Sequence, residues 1–146
     1  MKINGYLVNA NLVKADIGTM SLVYLPERQV FLVLNKTAGM LLTILEQGRS
    51  KNSLINALST LYPSVEERVI ERTAEVFLHL VVDNGIAVLV ERGKAPSEKI
   101  KLPAPAGELE MPIISAYEKK WIIQNHPDAV YDIAFSDTWS PAAGGV

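Results

Sequence analysis

Residues 30–34 read Val-Phe-Leu-Val-Leu, and this unbroken apolar run constrains the fold more than any other feature of the chain. At strand length, successive side chains point to opposite faces, so both faces of this strand need covering. A second apolar stretch, Ser21 to Leu25, precedes it across the punctuation Pro26-Glu27-Arg28, and the two read as a hairpin with strands Ser21–Leu25 and Gln29–Leu34. One face of the hairpin belongs to a core, and the other must be covered by something else. Upstream, Tyr6 to Lys14 reads as a further strand, with Asp16-Ile17-Gly18 as a break.

Three helices are predicted next. Asn35 or Thr37 can cap the first, which carries Ala38, Met40, Leu41, Leu42, Ile44 and Leu45 to a stop at Gly48. Ser50 can cap the second, with Leu54, Ile55, Leu58 and Leu61 inward, before Tyr62-Pro63 ends it. Ser64-Val65-Glu66-Glu67 reads as the capping box of the third. There Val65, Val69, Thr73, Val76, Phe77, Leu80 and Val81 recur at helical spacing, and Asn84-Gly85 closes the helix. Ile86 to Val90 then reads as a closing strand. The order is an α+β domain of winged-helix type: an N-terminal hairpin or three-stranded sheet, three helices, and a tail.

Composition excludes whole classes of function. The 146 residues contain no cysteine, which removes disulfide scaffolds, thiol catalysis and cysteine-ligated metals. The two histidines, His79 and His126, are too few for most histidine-built zinc sites. No Gly-rich phosphate loop or Ser-His-Asp set appears, so neither an enzyme nor a cofactor is expected. Asp128, Asp132 and Asp137 stand among apolar residues without the glycine turn of a calcium loop, so no metal is expected either. Residues 1–94 carry ten Lys/Arg against nine Asp/Glu, a net of +1, which is thin for nucleic acid. A winged-helix DNA-binding regulator remains the main rival, yet the second helix offers Lys51 and then Asn, Ser, Ala and Thr, with no basic stripe. The start, Met1-Lys2-Ile3-Asn4-Gly5, lacks a signal-peptide run and no stretch approaches the ~18 apolar residues of a membrane span. The expectation is a soluble, cytoplasmic protein.

The run Ser21 to Leu25, the turn, Val30 to Asn35, then Ala38 to Leu45 and Gly48, resembles the family of the pyrroloquinoline-quinone biosynthesis protein PqqD. Ser53-Leu54 to Leu61, Val76 to Leu80 and Asn84-Gly85-Ile86 continue the likeness in order and spacing, over roughly residues 18–90. The resemblance implies a non-catalytic recognition element for ribosomally made, modified peptides, at work in natural-product biosynthesis. Such a domain holds the leader peptide of a precursor and presents its core to a modifying enzyme. The leader adds a strand to the hairpin edge and lies against the third helix.

The residues can support that role on physical grounds. An edge strand offers unpaired amides and carbonyls that an extended peptide can complete. Val30, Phe31, Leu32 and Val33 would supply strand and wall, and Val76 lies on the facing helix. Arg68, Arg72, Glu75 and His79 recur three or four residues apart and share one helix face, a candidate polar filter. The bland counterparts are a plain core strand, a solvated helix face and an ordinary exposed histidine.

Composition shifts near residue 94: two prolines precede it and six follow. Residues 1–94 read as the recognition domain, 95–107 as a Pro-rich linker, and 108–146 as a tail with candidate aromatic anchors Trp121, Tyr131, Phe135 and Trp139. The tail has three readings. It packs on its own domain or swaps into a homodimer; it is a docking arm for a modifying enzyme; or it is a leader and core, making a recognition domain fused to its own precursor. The expected partners are a precursor peptide and its enzyme, with no membrane.

Overall fold

The computed structural model describes residues 3–17, 20–92, 100–103, 105 and 107–118. Their elements, in chain order, are β1 (Ile3–Val8), β2 (Val13–Ile17), β3 (Met20–Leu25), β4 (Val30–Leu34), α1 (Lys36–Gly48), α2 (Lys51–Leu61), α3 (Glu67–Asp83), β5 (Ala87–Arg92) and β6 (Ile114–Glu118). This is the mixed α+β order read from the sequence, strands followed by three helices. The chain divides into two compact units, one built from Met1–Asn9 with Lys36–Ile113 and the other from Ala10–Asn35 with the chain from Ile114.

The sheet unit has the order β2-β3-β4-β6, all antiparallel. The predicted hairpin is β3–β4. Its turn is closed by Arg28 N–H donating to the Leu25 carbonyl at 3.2 Å and Gln29 N–H to that of Pro26 at 3.3 Å. The second strand begins one residue later than predicted, because Gln29 takes the left-handed region at φ 50°. Leu22, Val23, Leu25 and Leu34 are fully buried with Phe31 and Leu32, so β3 and β4 are covered on both faces.

The stretch Tyr6–Lys14, read as one strand, is two. Asn9, Ala10 and Asn11 turn the chain between β1 and β2, and asparagine is a turn former for its own local hydrogen bonding. β1 pairs antiparallel with the closing strand β5, Tyr6 opposite Leu89, in a separate two-stranded ribbon.

In the helical unit α1 buries a wide face, from Thr37 and Ala38 to Leu45 and Gly48, and leaves Lys36, Thr43, Glu46 and Gln47 on the remaining stripe. α2 starts where predicted: Ser50 Oγ accepts from Ser53 N–H at 3.1 Å. The predicted capping box on α3 does not form. Glu66 is the N-cap and no side chain caps the helix, because Val65 N–H donates to the Tyr62 carbonyl and the chain turns there first. The buried stripe of α3 is Ile70, Thr73, Ala74, Phe77, Leu78 and Val81; of the residues read from spacing, Thr73, Phe77 and Val81 point inward, while Val69 is 41% exposed and Val65, Val76 and Leu80 are half-buried. The C-terminus is a Schellman motif at Asn84-Gly85. Ile86 N–H bonds the Val81 carbonyl at 2.8 Å, Gly85 N–H that of Val82 at 3.1 Å, and Gly85 has φ 76°.

The described residues 100–103 and 107–113 belong to the same unit as α1 and bond to it. Gln47 brackets Lys101, donating to its carbonyl at 3.0 Å and accepting from its N–H at 2.8 Å. Farther on, Glu110 N–H donates to the buried Thr37 hydroxyl at 3.2 Å, and its carboxylate lies 3.4 Å from Lys36 Nζ. Thr37, read as a possible cap, thus sits inside α1 and takes up a backbone amide of the later chain.

Candidate peptide-binding site

The first candidate site is the edge of β4. Among the described residues that edge carries a strand already: β6 pairs with it antiparallel from Leu34↔Ile114 to Val30↔Glu118. Cross-strand register assigns each neighbour. Val13, Tyr24, Phe31 and Tyr117 form one row across the sheet, and Ala15, Leu22, Val33 and Ser115 another on the same face. Lys14, Val23, Leu32 and Ala116, and Asp16, Ser21, Leu34 and Ile114, form rows on the opposite face. Tyr24 and Phe31 are in ring contact, centroids 4.7 Å apart and tilted by 37°.

Burial separates the four β4 residues named from sequence. Phe31 and Leu32 are core side chains, 0% and 1% exposed, while Val30 and Val33 are half-buried. What β4 presents at its edge is therefore backbone, flanked by apolar side chains, and this is what strand addition uses. A charge at position 31 would be fully buried, so that substitution tests folding rather than binding. The opposite edge, β2, alternates exposed Lys14 and Asp16, charges that discourage pairing there.

The second candidate is the α3 face. Arg68, Arg72, Glu75 and His79 are all exposed, as their spacing predicts, and Val76 is half-buried. Glu75 and His79 line a cavity of about 350 Å³ with Tyr6, Lys51, Leu78, Val82 and Leu89; Arg68 and Arg72 do not. Lys51 Nζ donates to Glu75 Oε1 at 2.8 Å. That bond, with the ammonium charge, holds the Glu75 carboxyl below its ordinary range and raises Lys51 above its own. Lys51, Tyr6 and Leu89 were missed from sequence. Only the packing of α2 on α3 and the β1–β5 pairing bring them here, and neither leaves a local signal.

The remaining predicted residues fall elsewhere. Trp121, Tyr131, Phe135 and Trp139 lie outside the described residues, as do Asp128, Asp132 and Asp137. Among the described residues no three His, Asp or Glu side chains gather as a metal-holding group, and no helix is long and apolar enough to cross a membrane. Compared with protein-family models, curated proteins and solved structures, the chain matches none.

Proposed function

We propose that this chain is a non-catalytic peptide-recognition domain that holds an extended leader peptide on the β4 edge and presents the attached core to a modifying enzyme. The observation that supports this reading is the pairing of β4 with β6. A segment remote in sequence adds to that edge as an antiparallel strand, the kind of contact a leader would make. The same observation favours a second form of the proposal, in which the tail from residue 108 is itself a tethered precursor-like client. Either way a separate peptide must compete with β6.

The test is a display selection of random dodecamer peptides on the immobilised full chain, followed by hydrogen exchange. Enriched peptides should leave the Val30–Leu34 amides protected and speed exchange at Ile114–Glu118, the signature of one strand replacing another. A selection that enriches nothing, or peptides that leave β6 exchange unchanged, rejects binding at this edge.

A further inference from the structure

The register of β6 on β4 says what kind of peptide this edge accepts. Of the side chains on Ile114 to Tyr117, the two large apolar ones lie on opposite faces. Ile114 stands across from buried Leu34, and Tyr117 across from Phe31 in the row Val13–Tyr24–Phe31. Both are half-buried, whereas Ala116 is exposed and Ser115 is small. The edge therefore takes one aliphatic side chain and, three residues later, one aromatic, with little demand between.

The tail sequence agrees independently. Residues 108–146 hold five aromatics: Tyr117, Trp121, Tyr131, Phe135 and Trp139. The residues three before them are Ile114, Glu118, Asp128, Asp132 and Ser136 in turn, so only Tyr117 has an aliphatic partner at that spacing. The segment seated on the edge is the one place in the tail where the pattern occurs. Placing any of the other four aromatics opposite Phe31 would put a carboxylate or a hydroxyl against Leu34.

We infer that the β4 edge is a peptide site selective for an extended segment with an aliphatic residue followed at the third position by an aromatic, and that Ile114–Tyr117 is its resident, exchangeable occupant. This rests on the strand-addition reading above and adds to it the class of client. A client that carries the pattern within a longer extended segment displaces β6; one lacking the pattern does not.

The probe is a fluorescein-labelled peptide of residues 111–120, titrated by anisotropy into the full chain and into the full-chain double variant Ile114→Ser/Tyr117→Ser. The double variant removes both anchors from the resident strand, and should bind the probe at least tenfold more tightly than the unaltered chain. The probe with the same two replacements should bind the variant at least tenfold more weakly than the intact probe. If the variant binds both probes alike, the pattern is wrong while strand addition stands. If it binds neither up to ~1 mM, the effective concentration typical of a tethered strand, the edge is not a peptide site and both readings fall. If the unaltered chain binds the probe as tightly as the variant, β6 is no competitor and the inference fails. Urea melts check that the variant folds; should it not, Tyr117→Ser alone is judged by the same comparisons.

Discussion

Gly48→Ala sets two known effects against each other at one atom. Gly48 is the last residue of α1 and is buried. A methyl added there meets Ser53 Cβ, with Ser53 Oγ and Ile100 Cδ1 each 2.6 Å away. In an ordinary helix, replacing Gly by Ala stabilises by about 0.5–1 kcal/mol through backbone entropy and propensity. Here overpacking opposes it, at about 1–3 kcal/mol. Ile100 can yield by rotating its terminal methyl, but Ser53 cannot. Its N–H is held by Ser50 Oγ at 3.1 Å, and its own hydroxyl donates to the Gly48 carbonyl at 3.2 Å, so moving it disturbs the α2 cap. Loss of that cap adds about 1 kcal/mol. The net expectation is destabilisation by about 1–3 kcal/mol, read as a lower urea midpoint at unchanged slope. A midpoint equal to or above that of the unaltered chain would refute the packing described at the α1–α2 corner.

Three further outcomes follow from local geometry. Gly85→Ala should cost about 1–2 kcal/mol in a urea melt, because φ 76° lies in the region that L side chains resist; a neutral result would mean the helix end relaxes. Thr37→Val removes the acceptor for Glu110 N–H and should cost about 1 kcal/mol while speeding exchange at the Glu110 amide; unchanged exchange there would remove that hydrogen bond from the account. In Lys51→Met the Glu75 carboxyl, followed by NMR, should titrate higher than in the unaltered chain, toward its ordinary range. Because its folded value is depressed, the pair's contribution is present above the ordinary carboxylate value and is lost as pH falls through the folded one. For Lys51, raised by the same bond, the contribution is lost as pH rises through its folded value. An unmoved Glu75 titration would break the assignment.

What was legible in the sequence had a short-range cause. The hairpin needed only two apolar runs and a proline turn. The α2 cap needed only a serine before a helical pattern, and the end of α3 needed only Asn84-Gly85. What failed was decided at longer range or by competing local chemistry. The Ser64 capping box lost to a turn from Tyr62 to Val65 that the four-residue motif does not encode. On α3 the spacing placed Thr73, Phe77 and Val81 inward but missed Ile70, Ala74 and Leu78, because the valines at 65, 69 and 76 outline an apolar band on the other side of them equally well. The need for cover on Val30–Leu34 was readable, since five apolar residues cannot leave a face in water. That Ile114–Glu118 would take its edge was not, because strand pairing across so many residues leaves only the weak signal of an aliphatic–aromatic spacing.

Whether β6 is a permanent strand or an exchangeable one is a matter of free energy. Its anchors, Ile114 and Tyr117, are half-buried and so fall short of the ~1.5–3 kcal/mol each that full burial gives. Ladder hydrogen bonds add about 0.5–1.5 kcal/mol each, and ordering each residue of the strand costs about 1–2 kcal/mol. These largely offset each other, so β6 is held chiefly by its two anchors, at less than the ~3–6 kcal/mol that their full burial would give, against the ~5–15 kcal/mol of a whole domain. Native-state hydrogen exchange on the full chain reads this directly. The Ile114–Glu118 amides should exchange through a local opening well below the free energy that releases the amides of Leu41 or Phe77, both fully buried. A free client at ~1 μM must then outbind a strand tethered at ~1 mM by about 10³-fold, or about 4 kcal/mol. A four-residue pattern alone does not reach that, so a competing client must extend past the pattern and bury further anchors. If the β6 amides exchange only with global unfolding, the strand belongs to the fold and the edge is closed to any client.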